Sequence, residues 1–203
     1  MWAAADDVYD PRFISTGVRA LVDRPDFGLA FCEMANIDAG GHIVRAYPSF
    51  TRFQHEAAFR RVVRFLRDPE ILGKANLIYS LFRREACAAA LRAMPLSAAW
   101  GIDMCIALAA LARTQVYVGP DRLFFKRLPG SALSSATEML TNDHPSMSGA
   151  FELDRDGLRY VGNCLRALSG TSLLPLGAVI MGTRVAQVTS RTIRWRLRAS
   201  TRS

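Results

Sequence analysis

The chain has 203 residues, of which 50% are apolar and 22% are charged, and its formal net charge is +8. That length and apolar content suit one well-packed domain and exclude a disordered chain or a disulfide-dependent miniature fold. Its four cysteines are far apart, without a CxxC pair or a histidine at metal-ligand spacing, so they indicate reduced, mostly buried thiols rather than a zinc site.

The first feature along the chain is the acid pair Asp6-Asp7, which follows a run of small residues and precedes Tyr9 and Pro11. Paired carboxylates after a short apolar run suit a hard divalent cation, because Mg²⁺ and Mn²⁺ prefer oxygen ligands and partner phosphate oxygens. The competing interpretation is an N-cap and dipole partner for the next helix, which is the commoner role of such a pair. Met1 leads into these acids rather than into a basic and apolar run, so no signal peptide is expected.

Apolar spacing and turn residues predict the elements that follow. The first half reads as a helix over 11–24, a buried strand over 28–34, its hairpin partner over 42–46 and a basic amphipathic helix over 51–66. The second half reads as strands over 77–83, 114–118 and 122–126, with helices over 85–93 and 100–112. Strands interleaved with helices indicate an α/β sheet.

Asp103 is the next candidate for chemistry, because it enters the strongly apolar helix over 100–112. An acid in such a helix is costly unless it caps the helix or serves a site. The alternative to a site is a first-turn acid, which the helix macrodipole favours.

The C-terminal part combines a helical pattern over 158–168 with an uncharged run between Arg166 and Arg184. That run is shorter than the roughly 20 apolar residues that a membrane span requires, so it predicts an interfacial or packing helix. Six arginines crowd the end of the chain: Arg184, Arg191, Arg194, Arg196, Arg198 and Arg202. They indicate either peripheral contact with anionic lipid or a solvated, partly disordered end. Nucleic acid is a less favoured partner, since Trp195 is the tail's one aromatic residue.

Three stretches, over 6–14, 26–44 and 76–86, occur in an order that resembles the bacterial family-2 glycosyltransferases of GT-A fold, which transfer a sugar from a nucleotide-sugar donor. The resemblance covers roughly residues 1–135. It implies a partial GT-A mixed sheet flanked by helices over 1–135, followed by a helical C-terminal extension with a basic tail over 136–203. The composition suits a cytoplasmic protein, and the uncharged run followed by the arginine tail suits peripheral contact at the inner membrane face.

The resemblance implies a role for each candidate residue. Asp6 would bind Mg²⁺ or Mn²⁺, with Asp7 as second ligand or outer support, and the metal would bridge the donor diphosphate. Asp103 would be the general base that takes the proton from the acceptor hydroxyl. Lys126 and Arg127 would hold the diphosphate as a point charge and a planar fork.

The sequence departs from the family pattern in places that predict a weakened metal site. Ala4 stands where the first acid of a full DxD element would fall, and Ala5 and Leu128 stand where relatives place histidines. The strand, turn and helix unit that binds the nucleotide in relatives is not found before Asp6, so the expectation is the C-terminal part of a catalytic domain.

Two function classes therefore stay open. The first is a metal-assisted glycosyltransferase, or a truncated remnant of one, that acts on a glycan or lipid-linked acceptor. The alternative is a non-catalytic binding or scaffold protein that kept the fold but lost the donor site.

Overall fold

The computed structural model describes residues 1–94, 99–128 and 155–200. Strands and helices alternate along most of this chain, with three short 3₁₀ helices between them. In chain order the elements are β1 (Val8–Tyr9), α1 (Arg12–Asp23), β2 (Phe27–Ile37), β3 (Ile43–Ala46), a 3₁₀ helix (Phe50–Phe53), α2 (Ala58–Arg67), 3₁₀ helices (Glu70–Leu72 and Lys74–Tyr79), β4 (Leu81–Phe82), α3 (Arg84–Ala93), α4 (Ile102–Leu111), β5 (Gln115–Arg127), α5 (Arg155–Leu168) and α6 (Leu174–Ser200).

The sheet is mixed and is centred on β2. β5 runs parallel to β2 along its length, from Gln115 opposite Phe27 to Arg127 opposite Ile37. β1 pairs antiparallel with β5, and β3 and β4 pair antiparallel with the other edge of β2. The prediction of an α/β protein with a mixed sheet flanked by helices is confirmed, and the helices predicted over 11–24 and 100–112 are present.

The prediction of two separate strands over 114–118 and 122–126 is wrong, because β5 is one continuous strand. Its pairing with β2 steps directly from Gly119 to Arg122, so Pro120 and Asp121 have no partner on β2. Proline and aspartate are typical of turns, but here the chain accommodates them as a bulge and continues in the same direction.

The single helix predicted over 51–66 is also wrong. Its start is a separate 3₁₀ helix that the Ser49 side chain caps by accepting a hydrogen bond from the Thr51 backbone N–H at 3.2 Å. Gln54 then leaves the helical path, and its side-chain oxygen accepts a hydrogen bond from the Val118 backbone N–H of β5 at 2.9 Å. The bond to the strand separates this 3₁₀ helix from α2.

The strand predicted over 77–83 is wrong in its first part, because 77–79 belong to a 3₁₀ helix and only the two residues of β4 pair with β2. The reason is Lys74, which has no exposed surface. Its ammonium donates to the backbone oxygens of Phe65 and Asp68, at 2.9 and 2.7 Å. These bonds anchor the segment beside α2 and favour a tight helical turn over an extended strand.

The main core lies between the sheet and the helices that cover it. Phe31 and Met34 of β2 and Phe124 of β5 contribute to this core, together with aromatic residues before and within α2. α4 is buried from Met104 to Ala112, which accounts for its almost uniformly apolar sequence. α1 adds Phe13 to this core, whereas its Leu21 belongs to a smaller one.

The C-terminal helices share this core. Tyr160 and Cys164 of α5 and Met181 of α6 are fully buried in it. Arg184 was predicted to belong to a solvent-facing basic tail, and this is wrong, because it is 8% exposed and pairs with Glu70. The predicted boundary at 135/136 and Arg202 lie outside the described residues.

Several arginines serve the ends of helices rather than an anionic partner. Arg83 donates to the backbone oxygen of Leu21 in the last turn of α1, and Arg61 donates to that of Leu111 at the end of α4. Arg113 donates to Ala167 O near the end of α5, at 2.8 Å. Helix C-terminal carbonyls lack partners within the helix, so these bonds satisfy them. Part of the positive charge is therefore structural.

A buried ionic cluster holds α6 against the rest of the fold. Glu70 accepts from Arg184 at 2.7 Å, from Lys74 at 3.0 Å and from the Tyr160 hydroxyl at 3.1 Å. Burial opposes ionisation of Glu70, yet the charges of Lys74 and Arg184 hold its pKa below the ordinary value.

Among the described helices, none is both long and apolar enough to cross a bilayer.

Candidate functional site

Polar side chains meet where the parallel strands β2 and β5 end. Asn36 of β2 lies opposite Lys126 of β5, and the backbone N–H of Arg127 donates to Asp7 Oδ1 at 3.0 Å. Asp7 comes directly before β1, whose Val8 lies opposite Phe125. Open α/β sheets place their ligands at the carboxyl ends of parallel strands, so this edge is the natural place for a site.

The 3₁₀ helix Lys74–Tyr79 and the end of β3 supply the remaining side chains. Lys126 Nζ lies 3.4 Å from Asn76 Oδ1 and 5.2 Å from the centre of the Tyr79 ring. Asn36 Nδ2 donates to the Tyr47 hydroxyl at 2.9 Å. We call this group the polar cluster, and it comprises Asp7, Tyr9, Asn36, Tyr47, Asn76, Tyr79 and Lys126.

Three oxygen atoms of the polar cluster are buried without a hydrogen-bond partner: Asp7 Oδ2, Tyr9 OH and Asn36 Oδ1. No other buried side-chain nitrogen or oxygen of the described residues lacks a partner. Buried polar atoms are normally paired, and leaving one unpaired costs about 1–3 kcal/mol. Three such atoms in one group therefore point to a place where ligand atoms or water complete the bonding.

The buried carboxylate of Asp7 favours the binding of a cation. Burial raises the pKa of Asp7 above the ordinary aspartate value, although the N–H of Arg127 and the charge of Lys126 oppose the rise. Burial and the neighbouring Asp7 also raise the pKa of Tyr9, which keeps its phenol protonated. A bound cation would compensate the desolvated carboxylate of Asp7.

Arg127 holds the acid pair against the turn between β2 and β3. Its Nε donates to the backbone oxygen of Asp6 at 3.1 Å, and its Nη1 donates to those of Asp38 and Ala39, both at 2.8 Å. Asp6 itself is exposed. Because these guanidinium N–H groups donate to backbone carbonyls, Arg127 fixes the position of Asp6-Asp7.

Asp103 lies apart from the polar cluster, in the first turn of α4. Its Oδ1 accepts a hydrogen bond from the Met104 backbone N–H at 2.8 Å, so the first-turn role expected from the helix dipole is present. α4 packs against the 3₁₀ helix Lys74–Tyr79, which carries Asn76 and Tyr79. Within the described ranges, no hydrogen bond or ion pair joins Asp103 to the acid pair. Its catalytic role stays a prediction.

Sequence reasoning found Asp7 and Lys126 but missed Asn36, Tyr47 and Asn76. A signal for Asn36 was present, because it is a polar residue near the end of a nearly continuous apolar strand. Asp103 was identified by the same signal, a polar residue within an apolar element. Tyr47 and Asn76 are ordinary residues of turns and short helices, and nothing in their local sequence marks them.

The donor set of the acid pair fits one mode of metal binding. Mg²⁺ is commonly held by one or two carboxylates and completed by substrate phosphates. Asp7 offers one unpartnered oxygen, and Asp6 adds an exposed carboxylate beside it. Among the described residues, no group of three or more His, Cys, Asp or Glu side chains could hold a metal ion. The acids therefore suit a metal that arrives with phosphate rather than an all-protein cage.

Comparisons with protein-family models, with curated proteins and with solved structures find no match to this chain. No family is assigned to it on that basis. Support for a function comes from the geometry of the polar cluster and from the residues that carry the sequence resemblance.

Proposed function

We propose that the protein is a glycosyltransferase of GT-A fold that transfers a sugar from a nucleotide-sugar donor to a glycan or a lipid-linked acceptor. The observation that carries the proposal is the unpartnered Oδ2 of Asp7, buried near Lys126 at the carboxyl ends of β2 and β5. A carboxylate oxygen and an ammonium group at one sheet edge suit a metal–diphosphate ligand.

Each residue of the site has a distinct task in this proposal. Asp7 and Asp6 would hold Mg²⁺ or Mn²⁺, which would supply positive charge to stabilise the leaving diphosphate. Lys126 pairs with a phosphate oxygen of the donor as a point charge. Arg127 keeps the acid pair in place through its bonds to backbone carbonyls of Asp6 and Asp38.

Asp103 is the general base of the proposed reaction. It accepts the proton of the acceptor hydroxyl as that oxygen attacks the sugar's anomeric carbon. The helix start provides a fixed position for the carboxylate, because Met104 N–H binds Oδ1. The second carboxylate oxygen, Oδ2, would then accept the proton of the acceptor hydroxyl.

Metal-dependent nucleotide binding through Asp7 tests the proposal. We expect Asp7→Asn to weaken Mn²⁺-dependent binding of a nucleoside diphosphate at least tenfold, because the variant loses the charged ligand. Binding by the wild-type protein should also fall as pH drops through the raised pKa of Asp7, since the protonated acid no longer holds the metal. Asp121→Asn is the matched control, because that side chain is 65% exposed. A folded protein without metal-dependent binding would favour the non-catalytic alternative.

We also propose that α6 contacts an anionic membrane surface, which would place the protein at the cytoplasmic face of the inner membrane. From Leu174 to Ser190, the one charged residue of α6 is Arg184, which is turned inward to Glu70. The outward face therefore carries apolar and neutral residues such as Val179, which is 68% exposed. The helix continues into the arginine-rich end of the chain. An uncharged helix face beside basic residues suits an interfacial helix.

Vesicle sedimentation tests this contact. We expect the protein to sediment with vesicles that contain phosphatidylglycerol and not with phosphatidylcholine alone, because anionic lipid attracts the arginines. Val179→Glu should reduce the bound fraction severalfold. Val22→Glu on α1 is the matched control, because Val22 is 71% exposed on a different helix. Equal losses in both variants, or binding indifferent to lipid charge, would contradict a specific role for α6.

A further inference from the structure

Asn36 is a residue of the polar cluster that has no task in the proposed metal–diphosphate site. It is 2% exposed, and its amide nitrogen is already used, since it donates to the Tyr47 hydroxyl at 2.9 Å. Its Oδ1 has no partner among the described residues. An amide whose nitrogen is fixed holds its oxygen in a defined direction, and a buried acceptor of this kind calls for a ligand group that donates a hydrogen bond.

The neighbour of Asn36 across the strand pair is a donor. Lys126 lies opposite Asn36, and among the described residues its ammonium makes one long hydrogen bond, 3.4 Å to Asn76 Oδ1. An ammonium has three N–H groups, so it has donors left for a ligand. The site thus offers an acceptor and a donor from adjacent strands.

A donor and an acceptor side by side limit the classes of ligand group that can bind both residues. A phosphate oxygen could accept from Lys126, but a phosphate diester or dianion has no proton to give to Asn36. A metal ion at the oxygen of Asn36 would need further oxygen ligands, whereas the neighbour of Asn36 across the strand pair is the ammonium of Lys126. A hydroxyl group both donates and accepts, so one hydroxyl or two adjacent ones satisfy both residues.

Aromatic rings complete the surroundings. Tyr9 stacks on Phe124 with ring centres 4.7 Å apart, and Tyr79 lies 5.1 Å from the same ring. The unpartnered Tyr9 hydroxyl adds another group that can donate or accept. Pockets that fix a ligand commonly combine apolar or aromatic walls with a few placed polar groups, and a sugar ring has both C–H faces and hydroxyls.

We infer that Asn36 is a specificity-determining residue that accepts a hydrogen bond from a hydroxyl of a bound sugar, while an N–H of Lys126 other than the one that pairs with the donor phosphate donates to the same or the adjacent hydroxyl. The inference rests on the proposed function, which supplies the sugar. It depends on Asn36 Oδ1, whereas the metal–diphosphate proposal depends on Asp7.

Saturation-transfer NMR with free monosaccharides and their deoxy analogues tests the inference on the full chain. We expect at least one monosaccharide to receive saturation from the wild-type protein, and the analogue that lacks one hydroxyl to bind about tenfold more weakly. Asn36→Leu should bind the parent sugar and the deoxy analogue equally. Tyr47→Phe removes the hydroxyl that fixes the amide nitrogen, so it should weaken the preference for the parent sugar, whereas Asn36→Leu should abolish it.

Asn36→Asp is the control for a folding defect in Asn36→Leu. It keeps an oxygen acceptor at the same place, so it should keep the preference for the parent sugar. Absence of saturation transfer to any sugar, or unchanged discrimination in Asn36→Leu, would overturn the inference. Sugar contact without Mn²⁺-dependent nucleotide binding would overturn the proposed function and leave the role of Asn36 standing. The reverse result would overturn the role of Asn36 alone.

Discussion

Replacing Glu70 with alanine is expected to lower the free energy of unfolding by about 3–5 kcal/mol, as removal of one partner from a buried ion pair does. The variant would leave Lys74, with no exposed surface, and Arg184, 8% exposed, without the carboxylate that both contact. Tyr160 would lose the carboxylate to which its hydroxyl donates at 3.1 Å. Urea denaturation followed by circular dichroism measures the change.

Glu85→Ala is the control for this experiment. Glu85 contacts Arg84 at 3.4 Å, but its side chain is 74% exposed, and exposed pairs contribute about 0–1 kcal/mol. The pH dependence gives a further check, because the lowered pKa of Glu70 means that its stabilisation is present above the ordinary glutamate pKa. The advantage of wild type over Glu70→Ala should shrink as pH falls through that lowered pKa. Similar losses in both variants would show that the buried cluster has no special role.

The second large effect is expected at Asp103. Asp103→Asn should reduce metal-dependent sugar transfer or donor hydrolysis by about 10²–10⁴-fold, the range for loss of a general base. The amide oxygen can still accept from Met104 N–H, so the helix start keeps its hydrogen bond. Loss of the charge should change stability by less than about 1 kcal/mol. The measurement is the initial rate of sugar release or transfer from nucleotide-sugars.

Asp156→Asn provides a matched comparison, because Asp156 is also a first-turn acid, on α5, and its side chain is 59% exposed. It should leave the rate and the binding of Mn²⁺ and nucleotide unchanged. If Asp103→Asn retained the wild-type rate, the carboxylate would have only the structural role that its bond to Met104 indicates. The general base would then have to be sought elsewhere.

Elements with strong local patterns were predictable from the sequence. The helical spacing over 11–24 predicted α1, and the turn residues before 42–46 predicted the hairpin of β2 and β3, as observed. The elements that were wrong depend on distant partners. The 3₁₀ helix Lys74–Tyr79 forms beside carbonyls of α2, and Gln54 leaves its helix for a strand 64 residues later in the chain. No local window contains those partners.

The site was predictable only in part for the same reason. Asp7 carried a recognisable pattern, and the resemblance supplied a reason to pair it with Lys126. Asn36 and Tyr47 have no such pattern, and their bond depends on the β2–β3 hairpin. Arg184 was predicted to belong to a basic tail because Glu70, its partner, lies 114 residues earlier. Opposite charges at that separation cannot be paired from sequence alone.

Calorimetric titration with UDP and with GDP, each with and without Mn²⁺, tests the central claim most directly. The proposed site predicts micromolar binding of at least one nucleotide by the wild-type protein, dependent on Mn²⁺ and weakened at least tenfold in Asp7→Asn. Asp121→Asn should bind as wild type does. Binding that is indifferent to Mn²⁺ or to Asp7, or no binding by a folded protein, would contradict a metal–diphosphate site at the polar cluster.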